Sequence, residues 1–414
     1  MRVLFLNPAG NLGGAERSLL DLVASIRVHP ELGSTELGLI AGANGPLIEA
    51  ASHLGVHVRT LPLTKHLATA GDSGLRDAGK RLSVLRQNQF ARAALEIPGY
   101  ALRLRAAIRE FAPTVVHSNG IKMHLLAAAI RDQTPLVWHI RDFVSERPVV
   151  RRAMRTLAER ADAAIAISNA VAGDARPFMG RTPVSVVYNA VDTDLFAPEG
   201  PVADLDRLAG VDAAPRGAVR VGLVATFARW KGHDIFLDAA RRVVATASTT
   251  PVRFYVVGGP IYDTAASQFR EDELRAMVRE RGLDEWVTFV PFQNRVDAAY
   301  RALDVVVHAS CRREPFGRTI AEAMATGRPV VASRESGAAE MFEEGVDALA
   351  FQLGDTGVLA QLLLGLIAES RRREALGRAA RSAAVEHFSR GRLASQILEV
   401  YATVAARSNP VRAS

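Results

Sequence analysis

Residues 303–333 read L-D-V-V-V-H-A-S-C-R-R-E-P-F-G-R-T-I-A-E-A-M-A-T-G-R-P-V-V-A-S. The valine-rich run 303–308 has the composition of a strand buried on both faces, as in a parallel sheet. Residues 319–326 are good helix formers, and Gly327 suits the left-handed position just past a helix end. Residues 329–333 then read as the next strand. A strand, loop, helix and strand in this order predict an α/β fold. The loop carries Glu314, Pro315, Phe316 and Gly317, and Glu322 follows inside the helix.

In an open parallel sheet, ligands sit beyond the carboxyl ends of the strands. The loop 309–318 lies there. It ends at a helix N-terminus, where free N–H groups and the helix dipole favour an anion such as a diphosphate. Glu314 hangs in the loop, and Glu322 lies about one turn into the helix, so both can face one cleft. A carboxylate only accepts hydrogen bonds, which suits the neighbouring hydroxyls of a ribose or a hexose. Two structural readings stand beside this one. Thr319-x-x-Glu322 also fits a capping box, and Glu314 alone also fits a solvated loop acid.

Upstream, residues 219–225 open a sheet and run into T-F-A-R-W-K-G-H-D, which places Arg229 and Lys231 at another strand end. Residues 253–259 and 286–291 are further strands, with a long helix expected over 265–281. Glu335-S-G-A-A-Glu340 reads as a glycine loop or an ordinary turn, and 358–406 is helical by pattern.

At the other end of the chain, residues 3–7 form a strand that runs into P-A-G-N-L-G-G-A-E-R. A strand, glycine loop and helix make a phosphate-binding layout, with Gly13 and Gly14 letting backbone N–H groups approach an anion. The spacing is not G-x-G-x-x-G, and the strand at 37–41 ends without an acid for an adenosine ribose, so NAD binding is disfavoured. Strands at 56–63, 114–117, 135–140, 163–168 and 184–188 come next. The ends of two of them place His117, Asn119, Lys122, His124, His139, Arg141 and Asp142 at one predicted rim. Residues 74–105 are basic and amphipathic, which fits a contact with anionic lipid or equally a solvated helix face.

The string E-P-F-G-R-T-I-A-E at 314–322 resembles the E-x7-E motif of the retaining glycosyltransferases of GT-B family 4, which use nucleotide-sugars without a metal. The resemblance implies that Glu314 contacts the donor sugar and Glu322 the ribose, with Phe316, Gly317, Arg318 and Thr319 on the donor side. Lys231-Gly232 is similar to the family's K-G, whose lysine meets the donor diphosphate. G-G-A-E-R is similar to its N-terminal loop, which puts Gly13 and Gly14 near the same diphosphate. The family commonly has an arginine shortly before the lysine; Ala225 and Thr226 stand there, and Arg229 is the candidate replacement. Glu314, Lys231 and Arg229 are thus the expected catalytic set. The family often reads H-x-H where this chain has His117-Ser118-Asn119. Asn119 hydrogen-bonds but cannot serve as a base near neutral pH. His117, Asn119, Lys122, His139 and Arg141 are the candidate acceptor-side or sugar-side residues.

The implied fold is α/β of GT-B type, with two Rossmann-like domains whose parallel sheets face a central cleft. Residues 1–195 form the acceptor-side domain and 196–390 the donor domain, with 391–414 a helix crossing back. The implied reaction moves a sugar from a nucleotide diphosphate to an acceptor hydroxyl, with no cofactor and no metal. Asp192-Thr193-Asp194 has metal-like spacing but reads as an Asx turn. A phosphorylase, a sugar-nucleotide epimerase and a non-catalytic sugar-binding protein are the rival readings.

Composition bounds this reading. The 414 residues suggest two or three domains, and 49% hydrophobic residues suffice for large cores. Cys311 is the sole cysteine, so no internal disulfide framework exists, and it has no identifiable activating base as a nucleophile. The N-terminal M-R-V-L-F-L-N-P is too short an apolar run for a signal peptide. No run of about 18 apolar residues predicts a membrane span. A formal charge of +7 favours polyanionic partners. Without zinc-knuckle spacing or an RNP-like aromatic string, nucleic acid is disfavoured. The expected partners are a nucleotide-sugar and a glycan or lipid-linked acceptor. The expected location is cytoplasmic, with a peripheral contact at the inner membrane face as an open alternative.

Overall fold

The computed structural model describes residues 1–69, 83–130, 133–246, 250–260 and 267–408. The chain divides into two compact units. Unit 1 comprises Met1–Ala190 with Arg390–Ser414, and unit 2 comprises Val191–Ser389.

Unit 1 is built on β1 (Arg2–Asn7), β2 (Glu36–Ala41), β3 (His57–Thr60), β4 (Val115–Asn119), β5 (Leu136–Ile140), β6 (Ala163–Ala166) and β7 (Val184–Val186). They pair in the order β3-β2-β1-β4-β5-β6-β7, every pair parallel. Unit 2 is built on β8 (Val219–Val224), β9 (Val252–Val257), β10 (Val287–Val290), β11 (Val305–His308), β12 (Val330–Ser333) and β13 (Leu349–Phe351). Their order is β10-β9-β8-β11-β12-β13, again all parallel. The winding reverses between β1 and β4 in unit 1 and between β8 and β11 in unit 2. Such a switch point opens a crevice at the carboxyl ends of the strands.

The central strands are valine-rich because helices cover both faces of a parallel sheet. All four residues of β11 and of β12 are buried. In unit 2 the apolar cluster joins Val221, Leu223, Val256 and Val307 to Phe236 and Leu363 of flanking helices. In unit 1 it joins Val3, Phe5, Val115 and Val137 to Leu22, Ile26, Leu393 and Ile397.

The helical tail is three helices, Thr356–Ala368, Ser370–Phe388 and Arg390–Ser408. The last lies against the helix Gly14–Val28 with Leu393, Ala394, Ile397, Tyr401 and Val404 buried. Arg390 donates to Asp21 Oδ1 from Nε at 2.9 Å and from a terminal nitrogen at 2.6 Å.

Several expectations change. Of the helix expected over 265–281, residues 265 and 266 lie outside the described residues, and the helix spans Glu271–Glu280. Before it, Phe269 N–H donates to Phe227 O at 2.8 Å, and Gln268 bridges Ala228. The helix starts only after Arg270, whose N–H donates to Glu273 Oε2 at 2.7 Å. β13 was not foreseen, since its Leu-Ala-Phe is too short for a periodic signal. Of the basic stretch 74–105, residues 74–82 lie outside the described residues; 83–105 belong to the helix Ser83–Phe111, which contains Pro98. The Thr319–Glu322 capping box does not form. The helix Arg318–Ala325 is capped by Gly317 at φ +91°, so Thr319 is already inside it.

Candidate functional site

The loops after β8 and β11 meet at the switch point of unit 2. Two backbone features fasten them. Cys311 N–H donates to Trp230 O at 2.8 Å. Gly232, at φ +71°, comes so close to the end of β11 that a Cβ there would lie 1.8 Å from Ala309 O. Only glycine tolerates both the left-handed backbone and that approach. Gly337 fixes the loop from the other side. Its N–H donates to Glu314 O at 2.9 Å, and a Cβ would lie 2.1 Å from Pro315 O.

This packing brings Lys231 and Glu314 together. Lys231 Nζ lies 2.7 Å from Glu314 Oε2, and Ser310 Oγ donates to the same oxygen at 2.9 Å. His308 Nε2 lies 3.4 Å from it. Burial pushes the Glu314 carboxyl up, but the Lys231 charge and the His308 contact outweigh burial and hold it well below the usual carboxylate range. The carboxylate is therefore ionised. These three contacts all fall on Oε2, and a carboxylate has a second oxygen with which to accept, as a sugar-orienting group needs. His308 and Ser310 were not singled out from sequence. The available signal was their alternation at the end of a buried valine strand, which placed them on the loop side.

Glu322 is buried and holds both oxygens in hydrogen bonds. Arg318 Nε donates to Oε1 at 2.7 Å and Tyr300 O–H to Oε2 at 3.2 Å. Burial and the Glu322 charge raise the Tyr300 phenol well above its ordinary value, so it stays a donor. A carboxylate oxygen accepts more than one bond, and a ribose diol would add to this arrangement. Tyr300 is a second group that sequence reasoning missed; it lies upstream of β11 and has no local signal.

Other expected residues sit elsewhere. The turn Arg229–Lys231 is 3₁₀, and residues two apart in such a turn point to different sides. The Arg229 guanidinium thus pairs with Glu273 at 3.2 Å and lies 4.3 Å from the Phe269 ring centroid. It is not brought onto the Lys231–Glu314 pair. Phe316 is buried edge-on to Phe388, ring centroids 5.9 Å apart, so its side chain supports the loop from beneath. Asp192 Oδ1 accepts from the N–H groups of Asp194 at 3.2 Å and Leu195 at 3.0 Å, which is the expected Asx turn.

In unit 1, Gly14 is exposed at the first turn of its helix, while Gly13 N–H is engaged by Glu16 Oε2 at 3.1 Å. The expected rim is mostly buried. His117, Asn119 and His139 have at most 2% exposure. Helix Arg390–Ser408 explains part of this, because Tyr401 O–H reaches His117 Nδ1 at 2.7 Å. His117 and His139 are thus interior groups, not rim ligands. Arg141 is half-buried, with NH1 donating to Asn189 Oδ1 at 2.7 Å, and Lys122 is half-buried and donates to Ala68 O.

Residues 218–369 match the family model for glycosyl transferases group 1, and residues 47–195 match that for glycosyltransferase family 4. The lipopolysaccharide core biosynthesis mannosyltransferase LpsB of Rhizobium meliloti is 31% identical over 249 residues, covering 56% of this chain and 67% of LpsB. The chain belongs to glycosyltransferase family 4. A second family relative, the D-inositol 3-phosphate glycosyltransferase of Rhodococcus erythropolis, is 30% identical over 269 residues, 64% of this chain and 57% of that protein. The chain spans about half the length of the D-inositol 3-phosphate glycosyltransferases it matches, 57% in this case and 42% for that of a Mycobacterium strain. Among solved structures, Anabaena HepE in complex with UDP shares the fold, with a TM-score of 0.77 and 24% identity over 97% of this chain and 100% of HepE. The family's GT-B architecture accounts for the two parallel sheets.

Proposed function

We propose that the chain is a retaining glycosyltransferase that moves a hexose from a nucleotide-diphosphate-sugar to an acceptor hydroxyl, in glycan, glycolipid or polysaccharide biosynthesis. The observation that carries this reading is the Lys231–Glu314 pair at the β8/β11 switch point. In the reaction, the bond from the sugar C1 to the diphosphate oxygen breaks. A bond from C1 to the acceptor oxygen forms on the same face. The acceptor proton passes to the departing phosphate, so no protein base is required. Lys231 stabilises the charge that develops on the diphosphate. Glu314 orients the sugar through its hydroxyls, and Glu322 with Tyr300 holds the ribose. In unit 1, Gly14 offers a helix-end N–H to a phosphate. Arg229 has no assigned part, since its charge is held by Glu273.

The names of relatives support the donor class: HepE was solved with UDP-glucose, and LpsB is a mannosyltransferase. A peripheral contact with anionic lipid is part of the proposal. Leu95 is 82% and Leu102 67% exposed on the helix Ser83–Phe111, with Arg92 and Arg103 exposed beside them. Among the described residues no helix is long and apolar enough to cross a membrane.

The test is a thermal-shift panel of nucleotide diphosphates and nucleotide-sugars, followed by turnover with the best ligand. Lys231→Ala is expected to lower turnover about 10²-fold or more, as loss of one preorganised stabilising group does. Full activity in that variant would place the diphosphate elsewhere. Activity is expected to persist in excess chelator, with Lys231 carrying the charge. Release of the nucleotide diphosphate only when an acceptor is present would argue against the epimerase and phosphorylase readings. Binding with no turnover on any acceptor would favour a sugar-binding protein.

A further inference from the structure

A buried line of hydrogen bonds crosses unit 1, and its directions are forced by one residue. Tyr401 O–H lies 2.7 Å from His117 Nδ1. His117 Nε2 lies 3.0 Å from His139 Nδ1, and Arg141 NH2 lies 3.2 Å from the same nitrogen. An arginine only donates, so His139 Nδ1 carries no hydrogen. His117 Nε2 must then be the donor at 3.0 Å, and His117 Nδ1 the acceptor of the tyrosine hydroxyl. Both rings are neutral with hydrogen on Nε2. Burial agrees with this, since charging either ring beside Arg141 in the interior is unfavourable.

The same rule orders a second branch. Arg141 Nε donates to Asn119 Oδ1, so the Asn119 amide nitrogen faces Asn7 Oδ1, at 2.7 Å. Asn7 Nδ2 then donates to Ala9 O at 2.7 Å and to Glu16 Oε1 at 3.3 Å. Glu16 Oε2 accepts from Gly13 N–H at 3.1 Å. One donor-only group thus fixes the imidazoles of His117 and His139 and the amides of Asn119 and Asn7.

We infer that Tyr401, His117 and His139 are positioning residues, which hold Arg141 and, through Asn119, Asn7 and Glu16, the loop at residues 10–14 in a single hydrogen-bonded arrangement. The part this loop plays toward a diphosphate rests on the functional reading above. The line joins the helix Arg390–Ser408 to β4, β5 and β1, all elements of unit 1. A change at the tail of the chain therefore reaches the glycine loop, close to 400 positions earlier in sequence, through direct contacts.

The experiment uses the full chain with Tyr401→Phe, which keeps the ring and removes only the hydroxyl. Long-range proton–nitrogen correlations in histidine-labelled protein report the tautomers, and amide exchange reports Gly13. In the unsubstituted protein both histidines are expected to show hydrogen on Nε2 and a bare Nδ1. In Tyr401→Phe, Gly13 exchange is expected to rise roughly fivefold or more, and the Kd for UDP to rise by a similar factor with kcat little changed. A tyrosine that merely packs would leave the Gly13 exchange as it is. That outcome, or a hydrogen on His117 Nδ1, overturns the inference. Asn119→Asp is the second variant, because a carboxylate cannot donate to Asn7. It is expected to raise Gly13 exchange likewise, and an unaltered Gly13 counts against the line. If the unsubstituted protein does not bind UDP, the functional reading loses that nucleotide, while the tautomers and Gly13 exchange still decide the positioning role.

Discussion

His233 is fully buried beside Lys231, edge-on to Phe227 at 5.7 Å and Phe269 at 6.0 Å, and neither ring nitrogen has a hydrogen-bond partner among the described residues. Burial, and then the Lys231 charge, push its pKa down from 6.5 to about 4. The ring therefore folds neutral. The unfolded chain takes up the proton near pH 6.5, whereas the folded chain resists until about 4. The stability this residue contributes is complete above pH 6.5 and is lost as pH falls toward 4. At pH 5 the loss is about 2 kcal/mol. His233→Phe is expected to flatten the dependence of Tm on pH across this window; a slope equal to that of the unsubstituted protein would contradict a neutral His233. Glu314 has the same direction for a different reason. Its ionised form is favoured by Lys231, so the contribution is present above the usual glutamate pKa and is lost as pH falls below it. Glu314→Gln keeps the size and removes the charge. It is expected to lower turnover by about 10²-fold, measured by steady-state kinetics at saturating donor; unimpaired kcat would remove Glu314 from the reacting centre.

The elements around the site are held by glycines where a side chain has no room. Gly337 is the clearest case, because the atoms a Cβ would meet are the backbone of Pro315 and Glu314 at 2.1 to 2.9 Å. Backbone cannot rotate away, so the loop itself must move. Gly337→Ala is expected to cost roughly 1–3 kcal/mol and to weaken nucleotide-sugar binding about tenfold by displacing Glu314. Urea unfolding and calorimetric titration measure the two effects; binding left intact would show that the loop position does not matter. The capping-box pattern illustrates what local spacing conceals. Thr319 and Glu322 have the right separation, yet Gly317 begins the helix and Glu322 is claimed by Tyr300 and Arg318. Four-residue patterns describe what a segment can do alone, and a partner from another element decides what it does.

At the scale of the molecule, the last helix is the piece whose loss is most selective. It groups with unit 1, while the helix before it, Ser370–Phe388, groups with unit 2. The Asp21 side chain beneath the helix start is 3% exposed and is paired with Arg390. Arg390→Ala removes the guanidinium that pairs with this buried carboxylate, at an expected cost of about 3–5 kcal/mol. Differential scanning calorimetry is expected to show one transition falling while the transition of unit 2 stays in place. Equal displacement of both would count against the effect being confined to unit 1.

Much of the α/β alternation is determined by the sequence alone. Buried parallel strands are legible as valine-rich runs, because both faces of each strand are covered and composition suffices. The loop 309–318 and the Lys231-Gly232 pair were legible for the same reason, since each lies just past the end of such a run. Tertiary structure decided the rest. Lys231 and Glu314 are 83 positions apart and meet only because β8 and β11 are neighbours in the sheet. His117 and Tyr401 are 284 apart, and a helix from the far end of the chain turns an expected rim histidine into an interior one. Arg229 looked like the companion of Lys231 until a 3₁₀ turn and Phe269 sent it to Glu273. Burial of a strand is written in its own residues, but strand order and side-chain partnership are properties of pairs distant in sequence, which no local pattern records.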